Sequence, residues 1–257
     1  MKRGVLIGVP SYSGTLSVKL LAFLESALKI SADPSTPWLF RFTCVSGARP
    51  VEYARNALCG DFLRDSAMDR LWFLDADMEP TLDAFELLDL EGDIVGGRAL
   101  IYDARGKDRP ARVRVSAFTH NPEAEKFESA IPAKGERVAE VDAVGTATML
   151  ISRRVLEDPR MRIGDEYTDL DGSDKSCDLD ATAETWAPAI FRTIYKPNGE
   201  ILRGEDLDFC LRAKNLGYSI RCDFGIGISH RKNVDLEHIA EMCHYEIALR
   251  RKEACVA

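Results

Sequence analysis

The chain has 257 residues, of which 46% are hydrophobic, so it is long and apolar enough to bury the core of one large α/β domain. Its formal net charge is -8, with 34 basic and 42 acidic residues. This balance argues against a protein held to nucleic acid or to a membrane mainly by bulk charge, because both partners are anionic.

The first part of the chain alternates strand and helix patterns. Residues 5–9 form a continuous apolar run that predicts a buried strand. Residues 16–30 carry apolar side chains at spacings of three and four, which predicts an amphipathic helix. A strand at 38–45, a helix at 50–63 and a strand at 70–74 follow. This alternation predicts a parallel sheet with right-handed crossovers.

Beyond residue 77 the alternation weakens and the sequence becomes richer in strands and loops. The predicted elements are a helix at 82–88, a strand at 93–96, a helix at 204–216, a strand at 218–222 and a polar-faced helix at 235–252. Residues 225–228 contain two glycines, and we expect them to be a flexible approach to His230.

Two stretches have an unusual charge. Residues 98–114 carry six basic residues against two acidic ones. The basic residues either steer an anionic acceptor or form the solvated face of a ribbon, and the solvated face is the favoured interpretation. Residues 158–203 form a long connection, of which 165–180 carries seven acidic residues against one lysine. Connections of this length are functional lids, binding loops or disordered segments.

The seven cysteines are odd in number, with no C-x-x-C pair and no short spacing suited to zinc. This usage is typical of small buried side chains in a reducing compartment, so we predict a cytoplasmic protein. The apolar run at 5–9 is too short for a signal peptide, and no stretch approaches the ~20 apolar residues of a membrane span. We therefore expect no integral membrane segment.

Of four Asp-x-Asp triplets, only Asp75-Ala76-Asp77 directly follows a short apolar run, residues 71–74. The triplet is thus predicted at the carboxyl edge of a strand, where open α/β sheets bind ligands. Two carboxylates one residue apart can hold a divalent cation and leave its other positions for diphosphate oxygens and water. The alternative is that both merely end the strand and cap the next turn, but the apolar strand context favours a functional role.

Six stretches, in this order along most of the chain, resemble inverting family 2 glycosyltransferases of the glycosyltransferase A fold. They are residues 7–12, 54–56, 72–77, 144–147, 204–206 and 229–230. The resemblance implies a single α/β, Rossmann-like domain over residues 1–257, with a mostly parallel sheet flanked by helices and a long acceptor-side loop. It assigns nucleotide-sugar binding to residues 1–97, and acceptor binding and catalysis to residues 98–257.

The resemblance also implies a donor site. Its donor-binding residues would be Pro10, Ser11, Tyr12, Arg55, Asp75, Ala76 and Asp77. Asp77 would bind Mn²⁺ or Mg²⁺ directly, Asp75 would hold the donor ribose or reach the metal through water, and His230 would be a further metal ligand. A metal suits this chemistry because a departing nucleotide diphosphate needs cationic compensation. An ion pair within its own helix explains Arg55 equally well, and Asn56 is a further candidate for donor contact.

On the acceptor side, the resemblance implies that Asp206 is the general base that deprotonates the acceptor hydroxyl. Asp206 and Glu205 also suit a helix N-terminus, where the helix dipole favours carboxylates. Acceptor-binding or sugar-binding residues would be Gly145, Thr146, Trp186 and Glu205. Gly145 allows close backbone approach, although a strand bend needs the same glycine. Trp186 either stacks on an acceptor ring or packs its loop down.

We therefore predict a metal-dependent inverting glycosyltransferase that uses a nucleotide diphosphate sugar, with UDP as the expected nucleotide. The alternatives are a sugar-nucleotide nucleotidyltransferase, which needs a glycine-rich loop with a basic residue where this chain has residues 10–15, and a non-catalytic nucleotide- or carbohydrate-binding module. The acceptor stays open among a saccharide, a lipid-linked sugar, a protein, a small metabolite and a modified nucleic-acid base. The last would fit a phage enzyme in the host cytoplasm, but the net charge counts against it.

Overall fold

A computed structural model describes residues 2–103, 112–163 and 188–230. Trp186, the acidic stretch at 165–180, the predicted helix at 235–252 and the middle of the basic stretch lie outside the described residues.

The strand and helix alternation predicted for the first part of the chain is confirmed. The elements are β1 (Arg3–Ser11), α1 (Val18–Ala32), β2 (Trp38–Ser46), α2 (Val51–Arg64) and β3 (Arg70–Leu74). α1 begins after Ser17, whose hydroxyl accepts a hydrogen bond from the Leu20 amide at 3.0 Å and so caps the helix. The apolar stripe of α1 is buried, as its periodicity predicted.

The later elements are shorter and mostly strands. They are β4 (Met78–Glu79), a 3-10 helix (Leu82–Asp89), β5 (Ile94–Asp103), β6 (Arg112–Val115), β7 (Ala117–Asn121), β8 (Lys126–Ser129), β9 (Val138–Glu140), β10 (Ala143–Val144), β11 (Thr148–Ser152), α3 (Arg153–Glu157), a 3-10 helix (Pro159–Met161), β12 (Ile194–Tyr195), β13 (Ile201–Arg203), α4 (Glu205–Asn215) and β14 (Ile220–His230).

Two of these elements correct or extend the predictions, and a third confirms one. The predicted α-helix at 82–88 is a 3-10 helix, in which the Leu90 amide bonds to the carbonyl of Leu87 only three residues back. The predicted strand at 93–96 continues as β5 to Asp103, where it pairs with β6. The helix predicted at 204–216 is confirmed as α4.

The central sheet has the strand order β2-β1-β3-β11-β5-β14-β4. β1 is parallel to β2 and β3, and β14 is parallel to β5, while β11 runs antiparallel between β3 and β5. The predicted fold class, a Rossmann-like α/β fold with a mostly parallel sheet flanked by helices, is therefore confirmed. Because β1, β3, β5 and β14 run the same way, their carboxyl ends meet at one edge of the sheet, where ligands bind in open α/β folds.

β3 shows how helices cover both faces of this sheet. Leu71 and Phe73 pack into the cluster that contains side chains of α2 and α4, whereas Trp72 and Leu74 pack against α1 and the first 3-10 helix. Alternation between two cores is the geometry of a strand, and it explains the uninterrupted apolar run. All four side chains are fully buried, and each contributes about 1.5–3 kcal/mol relative to an exposed side chain.

The segment before His230 is not a flexible approach; that prediction was wrong. Residues 225–228 belong to β14 and pair with β5 after a register irregularity between Asp223 and Gly227. The Asp223 carboxylate accepts hydrogen bonds from the amides of Gly225 and Ile226, which satisfies the backbone at the irregularity. The sheet therefore fixes the position of His230.

The long connection at 158–203 is ordered at both described ends. It begins with the 3-10 helix Pro159–Met161 and ends with an antiparallel hairpin of β12 and β13. Between them, Ile190 and Phe191 are buried in the core. The two described ends of the predicted acceptor-side loop therefore contain regular structure, and residues 164–187 lie outside the described residues.

Four cysteines lie in the described residues, and all have free thiols, with Cys59, Cys210 and Cys222 buried. No helix in the described part of the chain is long and apolar enough to cross a membrane. The cytoplasmic location and the division at residues 97 and 98 stay predictions.

Candidate functional site

A cleft of about 410 Å³ opens at the carboxyl ends of β1 and β3. Six of the seven predicted donor-binding residues line it: Pro10, Ser11, Tyr12, Asp75, Ala76 and Asp77. The volume lies in the range of small-molecule sites. The residues that line the cleft include two carboxylates and no lysine or arginine. A phosphorylated ligand in this cleft therefore needs a cation from elsewhere.

The walls of the cleft are loops that bond to each other. The Ser11 hydroxyl donates to the carbonyl of Thr15 at 3.0 Å, which closes the loop after β1. Ser17 donates its amide to the carbonyl of Ala76 at 3.2 Å and its hydroxyl to the carbonyl of Met78 at 3.2 Å. The cap of α1 thus holds the turn that contains Ala76 against the loop after β1.

Tyr12 stands exposed at the mouth of the cleft, with the Arg49 guanidinium 3.2 Å from its ring centroid. This is a cation–π contact. Arg49 was not among the predicted site residues, and its position before Pro50 gives no sequence signal for this contact.

Asp77 and His230 meet at the edge of the cleft. His230 Nε2 lies 2.8 Å from Asp77 Oδ2, and its Nδ1 lies 3.3 Å from the carbonyl of Leu100. The contact forms because the end of β14 pairs antiparallel with β4, next to the aspartate. The structure therefore brings two of the predicted metal ligands together.

A metal at this point would have few protein ligands. Within the described residues, no group of three or more His, Cys, Asp or Glu side chains is arranged to hold a metal ion. Asp75 is directed to Arg55 instead. One carboxylate and one imidazole still fit Mn²⁺ or Mg²⁺ when phosphate oxygens and water complete the coordination, since Mg²⁺ is usually bound through one or two carboxylates plus substrate phosphates.

Arg55 joins the two ends of the site. Its side chain is only 4% exposed, and it lies 3.2 Å from Asp75 at the end of β3 and 3.2 Å from Glu205 at the start of α4. Burial lowers the pKa of Arg55, but the carboxylates of Asp75, Glu205 and Asp206 outweigh it and raise the pKa. The alternative of an ion pair within its own helix is therefore wrong, and direct donor contact by Arg55 stays a prediction.

Asn56, the neighbour of Arg55, has a structural role. Its side-chain oxygen accepts from the amides of Ile190 and Phe191 at 3.0 and 2.8 Å, and its nitrogen donates to the carbonyl of Phe191 at 3.0 Å. These bonds anchor residues 190–191, in the C-terminal part of the 158–203 connection, to helix α2. Three of the four hydrogen bonds that this amide group can make are used in this anchor, so a donor contact by Asn56 is not supported.

Asp206 lies in the first turn of α4, where Oδ1 accepts from the Leu207 amide at 2.8 Å. Burial and the neighbouring Glu205 carboxylate raise the pKa of Asp206 to about 7, although Arg55 opposes the shift. Oδ2 makes no hydrogen bond to the described residues. A carboxyl group that titrates near neutrality with one free oxygen has the properties of a general base.

Gly145 lies directly beside this carboxyl group. A Cβ at Gly145 would be 3.1 Å from the Cβ of Ser116 and 3.7 Å from Asp206 Oδ2. A side chain at this position would therefore require Ser116 to shift by a few tenths of an ångström and would fill the space beside Asp206 Oδ2. Thr146 is buried, and the nearby Ser116 hydroxyl is buried without a hydrogen-bond partner in the described residues. Ser116 was missed because a single serine at the bend between β6 and β7 has no distinctive sequence pattern.

Comparison with known proteins gives only distant structural likeness. No protein-family model matches the chain, and no curated protein matches it. A197 from STIV is 17% identical, with 90% of this chain and 86% of that chain covered and a TM-score of 0.49. GalNAc-T7, solved with UDP, GalNAc and Mn²⁺, is 9% identical, with 91% of this chain and 44% of that chain covered and a TM-score of 0.46.

The inositol-1-phosphate CTP transferase from T. maritima is 10% identical, with 94% of this chain and 96% of that chain covered and a TM-score of 0.35. The chain thus spans less than half of the GalNAc-T7 chain. Likenesses this distant assign no activity to this chain.

Proposed function

We propose that this protein is a metal-dependent inverting glycosyltransferase of the glycosyltransferase A type. It moves a sugar from a nucleotide diphosphate sugar, with UDP as the proposed nucleotide, to an acceptor hydroxyl. The observation that carries the proposal is the ion-pair bridge from Asp75 through Arg55 to Glu205, which places the strand-end carboxylates beside the helix that carries Asp206.

The donor end of the proposed site is the cleft below Tyr12. Its loops offer backbone groups and small side chains for a nucleoside, but its charges are carboxylates, which repel a diphosphate. Asp77 and His230 would hold Mn²⁺ or Mg²⁺ at the cleft edge. When bound, the metal supplies positive charge for the diphosphate and for the charge that develops as it leaves.

The acceptor end is Asp206. Its Leu207 hydrogen bond fixes Oδ1, so Oδ2 is the oxygen that takes the acceptor proton. The deprotonated acceptor oxygen then attacks the anomeric carbon on the side opposite the departing nucleotide, which inverts the anomeric configuration. Gly145 leaves space beside Oδ2 that any larger residue would fill.

The alternatives have less support from the same site. A nucleotidyltransferase must hold a nucleotide triphosphate, and the lining of the cleft provides no basic side chain for it. A module that only binds has no need of a general base, whereas Asp206 has a raised pKa and an oxygen, Oδ2, without a hydrogen bond to the described residues.

The proposal is tested by thermal unfolding with UDP, GDP, CDP or TDP, each with and without Mn²⁺. One nucleotide is expected to raise Tm by roughly 5–10 °C at a hundred times its Kd, and only with Mn²⁺. Asp77→Ala should abolish the shift, whereas Asp89→Ala, at an exposed aspartate outside the cleft, should keep it. No Mn²⁺-dependent shift with any nucleotide would overturn the proposal.

A further inference from the structure

A second charged cluster surrounds Asp208 on α4. Its carboxylate is buried and contacts three guanidinium groups: Arg192 at 3.3 Å, Arg203 at 3.3 Å and Arg212 at 2.9 Å. Three positive charges thus share one negative charge. No other carboxylate in the described part of the chain lies within 4 Å of these arginines.

The three arginines differ in how many of their N–H donors make hydrogen bonds. Arg212 also donates to the backbone carbonyls of Met161 and Ile190, so its donors are largely used. Arg192 and Arg203 each make a single long hydrogen bond to Asp208, and their side chains are 45% and 25% exposed. Both side chains are therefore partly exposed and have N–H donors without a partner among the described residues.

Among the described residues, the cluster has an excess of two positive charges, since three arginines contact one carboxylate. Burial lowers the pKa of Arg212; Asp208 opposes this shift through its hydrogen bond and its charge, while the positive charge of Arg192 adds to it. An anion of two charges would balance the excess positive charge.

We propose that Arg192 and Arg203 form a binding site for a phosphate group. A phosphate dianion matches the two excess charges, and guanidinium donors fit phosphate oxygens in a bidentate manner. The position is also held firmly. Asn56 anchors the residues just before Arg192. Arg203 is the last residue of β13, and α4 begins two residues later at Glu205.

The site is separate from the donor cleft. Neither arginine lines that cleft, and neither contacts Asp75, Asp77 or His230. Asp208 itself lies two residues after Asp206, so a phosphate here would border the helix that carries the proposed base.

The experiment is thermal unfolding in EDTA at constant ionic strength, with inorganic phosphate exchanged for chloride. Phosphate is expected to raise the Tm of the wild type by roughly 3–6 °C at ten times its Kd. Arg192→Gln/Arg203→Gln should lose this rise. The control Arg41→Gln/Arg221→Gln removes the same charge from exposed arginines that pair elsewhere, and it should keep the rise.

Arg192→Gln alone guards against a folding defect, because it leaves two arginines on Asp208; it should weaken phosphate binding about tenfold. Glycerol 3-phosphate in place of phosphate distinguishes a phosphate monoester from the free anion as the ligand. A wild type that responds to phosphate no more than to chloride would overturn the proposal, as would a full response in the double variant. Neither result depends on nucleotide binding or turnover, so a failure here is separate from a failure of the transferase function.

Discussion

Replacing Asp206 by asparagine is expected to stabilise the fold and to abolish turnover. Burial and the Glu205 carboxylate raise the pKa of Asp206 from 3.8 to about 7. Above that pH the folded protein must keep this carboxylate ionised in unfavourable surroundings. Asparagine retains the shape and the hydrogen bond to the Leu207 amide but carries no charge.

The size of the gain follows from the shift. A rise of about three pKa units corresponds to roughly 4 kcal/mol at 1.36 kcal/mol per unit. Asp206 is only half-buried, so solvent screens part of this unfavourable free energy. We therefore expect Asp206→Asn to raise the free energy of unfolding by about 2 kcal/mol, which corresponds to about 4–8 °C in Tm.

The direction of the pKa shift determines how the stability difference depends on pH. Because the pKa is higher in the folded state, the folded wild type binds more protons than the unfolded chain between pH 3.8 and about 7. Wild-type stability therefore falls as pH rises through this window. The advantage of Asp206→Asn should be largest above pH 7 and should shrink as the pH falls towards 4.

Urea unfolding of the wild type and Asp206→Asn at a series of pH values measures this difference, with Asp89→Asn as the exposed control. A loss of stability in Asp206→Asn at alkaline pH, or a difference that does not change with pH, would refute the reasoning. Asp206 would then be a carboxylate that stabilises the fold and not a general base.

Two further substitutions test the surroundings of the base and of the long connection. Gly145→Ala should lower kcat at least tenfold and leave the nucleotide-dependent Tm shift unchanged, because its Cβ would press on Ser116 and would take the space beside Asp206 Oδ2 that an acceptor needs; normal steady-state kinetics would contradict this. Asn56→Ala should lower the free energy of unfolding by about 2–4 kcal/mol in urea, since the amides of Ile190 and Phe191 lose their partner; a change below about 0.5 kcal/mol would contradict that anchor.

The parts of the fold that the sequence predicted are those set by local pattern. The apolar run at 71–74 is buried on both faces of the sheet, so every residue in it is hydrophobic and the carboxylates after it mark the strand end. Local patterns of the same kind predicted β1, α1, β2 and α2. These elements need no knowledge of distant contacts.

The parts that the sequence did not predict depend on contacts between distant residues. Arg55 and Glu205 are 150 positions apart, and Asp77 and His230 are 153 apart. No periodicity indicates that one arginine bridges two elements, or that three arginines converge on Asp208. Residues 225–228 were misread because glycine is unfavourable in strands, whereas pairing with β5 and the hydrogen bonds to Asp223 hold them extended.

The central claim is that Asp77 serves donor binding and Asp206 serves chemistry. Titration calorimetry of UDP with Mn²⁺ into the wild type, Asp77→Ala and Asp206→Asn, followed by a transfer assay on each, tests it most directly. The account predicts that Asp77→Ala loses binding, while Asp206→Asn binds UDP within about twofold of the wild type and has lost turnover. Unchanged UDP binding by Asp77→Ala, or wild-type turnover by Asp206→Asn, would contradict it.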